Sequence, residues 1–437
     1  MENKKKEKLK LKFENEIPFF LSIIIILYFF YGFYLNENSA GAGGYNADFK
    51  LIWHNLTILK EDIFSNLSSS EYNDSRPPLS YILHIFLNPF INNKEEFRLS
   101  NLLISSLIPY LLFLAIKENY KNLNINFVFL LSVVVTLSPF FRTTSYWALG
   151  ENYGMIFLLL SYLTFIKIKK IIGVYNYFQL NLMIFVLCLL SSLIVYFDQK
   201  LVFVPFLVLY LILNLKINIG HKYTSLVFFF IFSLPYFYLI YLWQGLIPTS
   251  ANIAREVGSK IHFFNPGYCI TMIAISIFPF IFVKNLNLKK LIKKIVNKKI
   301  IFYLSIFLIY AFVVTFFSDF KNLRVEGKGA FHKISILLIS NNGLRLFITL
   351  IAFLVCLIFT LILFNKKTDL LIISYLIILS LFTFPFYQEY LDPLLYILIF
   401  TFFKSKFEFN NKISFYLIAS YYLFFSLGSK FYYQVTI

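Results

Sequence analysis

Residues 344–364 read LRLFITLIAFLVCLIFTLILF, an apolar run whose single charge, Arg345, sits at its edge. A helix that crosses a bilayer needs about 20 consecutive apolar residues, because in hydrocarbon only the helix itself can satisfy its backbone polar groups. This run meets that length. Working outward from it, comparable runs lie near 17–35, 99–116, 124–141, 152–166, 178–197, 201–215, 223–242, 266–283, 300–317, 369–386, 390–403 and 413–427. A shorter run, 79–91, starts behind Pro77-Pro78 and is read as re-entrant or interfacial. The whole chain is 59% hydrophobic and 14% charged, where soluble domains hold about 45–50% and about 25%. A globular protein of 437 residues cannot fold that excess inward. Soluble enzymes and disordered chains are therefore excluded. The expected fold is an all-α polytopic membrane protein with about 13 transmembrane helices in one integral-membrane domain, residues 1–437.

Lysine and arginine counts in alternate loops orient such a chain. With the N-terminus inside and 79–91 not crossing, 25 basic residues fall on the inner side and 14 on the outer. The net charge of +18 thus belongs to loops at a membrane surface, and nucleic acid is not an expected partner. Residues 1–16 (MENKKKEKLKLKFENE) form a basic cytoplasmic anchor rather than a cleaved signal, and 99–427 form the transmembrane bundle. Fifteen carboxylates fall outside, seven inside and none in mid-span. Ion-coupled transporters keep ionisable groups at mid-membrane depth, so the chemistry is expected at the outer mouth.

The first outer loop, 36–98, carries the candidate active site. Behind a Gly-rich lead at 41–44, Asp48 precedes Phe49, Ile52, Trp53, Leu56 and Leu59, which recur at the spacing of an amphipathic juxtamembrane helix. Asp48 could serve there as a plain first-turn acid or as a chemical group. The loop ends on Ser75-Arg76-Pro77-Pro78, which sets a cation before a helix start, either a snorkelling Arg or a ligand for lipid phosphate. The next outer stretch runs Pro139-Phe-Phe-Arg142 to Trp147 and on to Glu151-Asn152-Tyr153-Gly154, with Glu151 opening a helix. A short outer turn holds Asp198 and Lys200, and a late one holds Glu389, Tyr390 and Pro393. Trp53, Tyr146 and Trp147 suit an interfacial belt. The three cysteines lie apart in apolar runs, the five histidines form no spaced cluster, and no Gly-rich nucleotide loop is present.

Taken in order, these stretches resemble the GT-C superfamily of integral-membrane glycosyltransferases, over nearly the whole chain. They look like the bacterial relatives of lipid A aminoarabinose transferases, protein O-mannosyltransferases and dolichol-phosphate-glucose glucosyltransferases. Two features depart from the pattern. Asn46-Ala47-Asp48 offers one acid where relatives often carry a pair, and Gln388-Glu389-Tyr390 lacks the Arg that usually precedes the Tyr. The resemblance implies transfer of a sugar from a polyprenyl-phosphate donor to a hydroxyl on a glycan, lipid or protein acceptor, with inversion. It implies Asp48 as the general base, and Arg76, Arg142, Glu151, Asn152, Asp198, Lys200 and Tyr390 as substrate or phosphate contacts. A divalent metal is an open candidate, with Asp48 and Glu151 as its ligands. The implied place is a bacterial inner membrane, with the site facing the periplasm. Two other readings stand beside it: an O-antigen-type polymerase or ligase, and a lipid-linked sugar transporter or flippase.

Overall fold

A computed structural model describes the chain apart from residues 1, 41–43, 45–47, 174–175, 252–259, 284–297, 318–319, 321–326, 384, 410 and 437. Of the helical residues 2–15, 298–300 and 434–436 it describes the backbone. Asn46 and Ala47, most of the Gly-rich lead, much of the outer loops 243–265 and 318–343, and most of the basic block 284–299 therefore lie outside the described residues.

The regular structure of the described residues is helical, with no strand. Six stretches are long and apolar enough to cross a membrane: 16–34, 94–119, 177–196, 219–243, 265–282 and 342–363. A seventh, Ile125–Leu137 with Pro139–Tyr146, is bent by 70°. The bend has a local cause. Pro139 cannot donate to the preceding turn, and Ser138 caps the new helix by accepting from the Phe141 N–H at 3.0 Å.

The chain divides into two compact units, 1–252 with 422–437, and 253–421. The first holds α1 (Glu2–Tyr34), α2 (Lys50–Glu61), α3 (Ile63–Leu67), α4 (Leu79–Leu87), α5 (Lys94–Ser105), α6 (Leu107–Asn119), α7 (Ile125–Val133), α8 (Pro139–Tyr146), α9 (Glu151–Ile171), α10 (Tyr177–Leu193), α11 (Phe203–Leu213) and α12 (Ile219–Trp243). The long helices leave large apolar side chains outward. Of the 25 residues of α12 only His221, Ser225, Leu239 and Trp243 are buried, while Phe230, Phe237 and Tyr241 are exposed. Such faces are costly in water and cost nothing in lipid. The run 79–91 forms only the nine-residue α4, about 13 Å long, far short of the roughly 30 Å hydrocarbon core.

Alternate turns of this unit meet at two ends. At one end, Gln199 Nε2 donates to the carbonyls of Ser75 (2.9 Å) and Leu246 (3.1 Å), Trp243 Nε1 donates to Leu67 O (3.1 Å), and Arg76 pairs with Glu151. At the other, Lys170 pairs with Glu118, Tyr162 Oη donates to Asn119 Oδ1 at 2.7 Å, and Tyr177 stacks on His221 at 4.3 Å.

The second unit holds α13 (Asn265–Ile277), α14 (Lys298–Phe317), α15 (Gly329–Leu338), α16 (Asn342–Leu363), α17 (Lys367–Leu381) and α18 (Leu394–Phe400). The last helix, α19 (Lys412–Thr436), begins in it. Here the apolar run 390–403 differs most from expectation. It forms a seven-residue helix, about 10 Å long. An irregular segment follows in which Phe403, Ser405, Phe407 and Phe409 are buried and Lys404, Lys406 and Glu408 are exposed. The buried Asp369 carboxylate anchors it, accepting from the N–H groups of Lys404 (2.6 Å) and Ser405 (2.9 Å). Alternation of phenylalanine with charge carries a period of two, not 3.6. At the opposite turns of this unit, the Lys328 N–H donates to Phe386 O (2.6 Å) and the His262 N–H to Leu381 O (2.8 Å).

Candidate functional site

Asp48 begins the helical turn that leads into α2. Its neighbour Phe49 is buried among Trp53, Phe97 and Trp147, with ring centroids 6.5, 6.4 and 5.9 Å away. That aromatic wedge, with Ile52, Leu56 and Leu59 buried along α2, fixes where Asp48 sits. Behind it Arg98 lies 4.0 Å over the Trp147 ring and donates from Nε to Tyr146 O at 3.0 Å.

Asp74 and Arg76 lie in the irregular stretch before α4. The Asp74 Oδ1 accepts from the Arg76 N–H (3.0 Å) and from Arg76 Nε (3.1 Å). Its Oδ2 accepts from Tyr81 Oη on α4 at 2.5 Å. Arg76 Nη1 donates to Glu151 Oε1 at 2.8 Å, across to the first residue of α9. Tyr72 Oη donates to Arg76 O at 2.9 Å. Among the described residues Arg76 Nη2 has no hydrogen-bond partner, and neither do the buried oxygens Asp48 Oδ2 and Glu151 Oε2. The turn 198–200 closes the group. Asp198 accepts from the Lys200 N–H at 3.0 Å, and Lys200 Nζ stands 3.4 Å from Asp198 Oδ2.

Four carboxylates thus share two cations. Burial pushes the Asp48 carboxyl up to about 7, with Glu151 and Asp74 adding to the rise and Arg76 and Lys200 opposing it. Burial, helped by Glu151, also raises Asp198, against the pull of Lys200 and Arg76. Arg76 stays charged: burial disfavours its cation, but Asp74 and Glu151 more than offset that. Tyr72 and Tyr81 are raised by burial and by Asp74, so both are neutral donors. The arrangement offers a proton acceptor poised near neutral pH beside a fixed cation.

The structure brings together Asp48, Arg76, Glu151, Asp198 and Lys200 from four separate stretches of the sequence. It does not bring Arg142 there. The Arg142 and Glu37 side chains are both 0% exposed, and Arg142 donates from Nε and Nη2 to the two Glu37 oxygens at 2.8 and 2.9 Å. Lys430 adds a contact to Glu37 at 3.2 Å. The cause is sterics as well as charge: the guanidinium fills the space above Gly32, where an added Cβ would stand 2.3 Å from Nη2. Asn152 is likewise internal. Its Nδ2 donates to Ser105 Oγ and Ser145 Oγ, both at 3.0 Å, and its Oδ1 accepts from Thr144 Oγ1 at 2.9 Å. Tyr390 belongs to the second unit, in the short turn Gln388–Tyr390, with its ring 5.4 Å from Phe386.

Asp74, Tyr72 and Tyr81 were not legible as site residues from spacing alone. The available signal was Asp-Ser-Arg before Pro-Pro, the pattern of an Asx turn in which a carboxylate accepts from the N–H two residues on. For the candidate metal ligands Asp48 and Glu151, no group of three or more His, Cys, Asp or Glu is spaced to hold a metal ion among the described residues. Glu151 turns one oxygen to the Arg76 guanidinium instead. No protein-family model, no curated protein and no solved structure matches this chain.

Proposed function

We propose that this chain is a multi-pass membrane glycosyltransferase of the GT-C type, which moves a sugar from a polyprenyl-phosphate donor to a hydroxyl acceptor at the outer face. The observation that carries the reading is Asp48, half-buried with its Oδ2 unpartnered and its carboxyl raised to about 7, in one cluster with the Arg76 cation that Glu151 holds, at one end of the first unit. The acceptor oxygen attacks the anomeric carbon and gives its proton to Asp48. The bond from that carbon to the phosphate oxygen breaks, and the phosphate leaves with the electron pair. A single displacement inverts the anomeric centre. The phosphate needs no general acid, only a cation, and Arg76 Nη2 and Lys200 are the groups at hand.

The proposed topology places the N-terminus inside and the end of α19 outside, with 390–403 returning between the two faces as α18 and its anchored segment rather than as a spanning helix. Two features support it. Among the described residues, turns assigned to one side pair with turns of the same side, as Gln199 with Ser75 and Lys170 with Glu118 do. Glu37, just beyond α1, pairs with Lys430 near the end of the last helix, as an odd number of crossings requires. The site would face the periplasm from a bacterial inner membrane.

The test is transfer from a labelled polyprenyl-phosphate sugar in membranes carrying Asp48→Asn. Loss of a general base costs about 10²–10⁴-fold, and that fall is expected while insertion and expression hold. Near-wild-type transfer removes Asp48 from the mechanism. Transfer by neither protein, with any of a panel of donors, removes the glycosyltransferase reading.

A further inference from the structure

Arg76 is held at more points than a phosphate contact on a loop requires. Its N–H and Nε both go to Asp74 Oδ1, its carbonyl accepts from Tyr72, and Nη1 goes to Glu151. Pro77 and Pro78 then fix the chain direction into α4. Asp74 is itself buried and receives the Tyr81 hydroxyl on its other oxygen. Tyr72 packs edge-on against Tyr81 (6.3 Å, 87°) and stacks on Trp243 (6.2 Å, 17°). The Asn73 N–H donates to Asn55 Oδ1 at 3.3 Å, and Gln199 holds Ser75 O, so neighbouring elements brace the same stretch.

We propose that Asp74, seconded by Tyr81, is the positioning residue of Arg76. It takes the backbone N–H and the Nε edge while Glu151 takes Nη1, so that Nη2, the guanidinium nitrogen with no partner among the described residues, is presented to an anionic oxygen of a phosphate-bearing substrate. The role of that oxygen as leaving group rests on the glycosyltransferase reading; the positioning of Arg76 does not. An arginine fixed before binding keeps its side-chain entropy out of the binding cost, and its direction selects where the anion sits. Asp74→Asn keeps an acceptor for the N–H but loses the charge-assisted bond to Nε, so the guanidinium is released without the turn being deleted.

Arg76 is one of only six arginines in the chain, which makes arginine labelling readable residue by residue. The full chain in lipid nanodiscs is treated with phenylglyoxal, and adduct formation at Arg76 is followed by peptide mass spectrometry. Freeing a charged hydrogen bond of this kind should raise Arg76 labelling about tenfold or more in Asp74→Asn. Tyr81→Phe, which removes one donor to Asp74 and keeps the ring, should give a smaller rise with an unchanged melting temperature. Unchanged Arg76 labelling in both variants overturns the positioning role. If Asp74→Asn does not fold, Tyr81→Phe decides alone, and its failure to raise labelling counts against the proposal.

Protection by a short-chain isoprenyl phosphate is then measured on the same residue. The concentration that halves labelling should rise about tenfold in Asp74→Asn, with inorganic phosphate as the headgroup control. Equal protection of wild type and Asp74→Asn overturns the anion-directing role. Absence of protection in the wild type overturns the phosphate contact, and with it the donor class proposed above, while the labelling comparison still reads whether Asp74 holds Arg76. In a transfer assay, a change in KM for the donor with kcat retained is the signature of lost donor positioning.

Discussion

Removing the charge of Asp48 should make the protein more stable and less active at once. In the folded chain its carboxyl is raised from an ordinary 3.8 to about 7, chiefly by burial. A raised acid favours the folded state in its protonated form. Its contribution is therefore fully present below about pH 4 and is lost as pH rises through about 7. Above that pH the folded protein carries a carboxylate that it binds less well than water does. At about 1.36 kcal/mol per pH unit the full shift corresponds to about 4 kcal/mol, and partial access of solvent to Asp48 reduces this to between about 2 and 4 kcal/mol. Asparagine at 48 is nearly isosteric and never ionises. Asp48→Asn should then melt about 4–8 °C above wild type at pH 8, taking about 2 °C per kcal/mol for a unit of this size. The gap should close toward pH 4. Tryptophan fluorescence is a suitable probe, since Trp53 and Trp147 both pack on Phe49 beside the site. An Asp48→Asn variant no more stable than wild type at pH 8, or an offset that ignores pH, would refute the burial-dominated account of Asp48. The outcome does not depend on what the chain catalyses.

Three further outcomes are expected. Glu37→Gln strands the Arg142 cation in a fully buried site and should cost about 3–5 kcal/mol in thermal unfolding, whereas Lys430→Ala, removing the outermost partner, should cost clearly less. Asp369→Asn weakens two hydrogen bonds that pin the segment after α18, so trypsin should cut faster at Lys404 and Lys406; unchanged cleavage there would mean that the phenylalanines hold the segment unaided. Reporters fused after Asn46 and after Asn93 should lie on the same side of the membrane, because the nine-residue α4 between them is too short to cross; opposite sides would overturn the orientation of everything downstream.

Apolar length and hydrophobic period made six or seven membrane-length helices readable where about thirteen were expected, and two acids at helix starts were readable as well. Glu151 opens α9 and Asp198 caps the 198–200 turn, each at a helix start where a carboxylate is favoured by local physics. What periodicity cannot report is partnership. Glu37 and Arg142 lie 105 residues apart and reveal nothing of each other in sequence, so Arg142 read as a substrate or phosphate contact, whereas the structure buries it against Glu37. Nor can an apolar run tell a helix from a buried extended segment. That ambiguity is why 390–403 read as a span, although the structure gives α18 and the anchored segment beyond it.

The stretch from Pro139 to Gly154 holds several of the expected site residues, and the structure divides its labour. Helices that break close to the membrane surface free backbone groups that hydrocarbon cannot satisfy, so each break demands polar side chains nearby. This unit breaks at Ser138 and again at Gly150. The debt is met locally: Ser138 accepts from the Phe141 N–H, Asn101 Nδ2 donates to the carbonyls of Thr144 and Ser145 at 3.0 Å each, and Asn152 ties Thr144, Ser145 and Ser105 together. Trp147 Nε1 donates to Glu37 O at 3.1 Å, and the N–H groups of Ser39 and Ala40 reach Thr143 Oγ1 at 3.3 and 3.1 Å. Those bonds seat the chain leaving α1 on the bent helix. Of the polar residues in the stretch, Glu151 alone faces the cluster around Asp48, through Arg76. A charge-neutral change at Asn152 should therefore lower stability and leave the pH dependence of any activity in place, while Glu151→Gln should shift that dependence to lower pH, since Glu151 is one of the groups that raise Asp48. A pH profile that moves with Asn152→Ala and not with Glu151→Gln would reverse the two assignments.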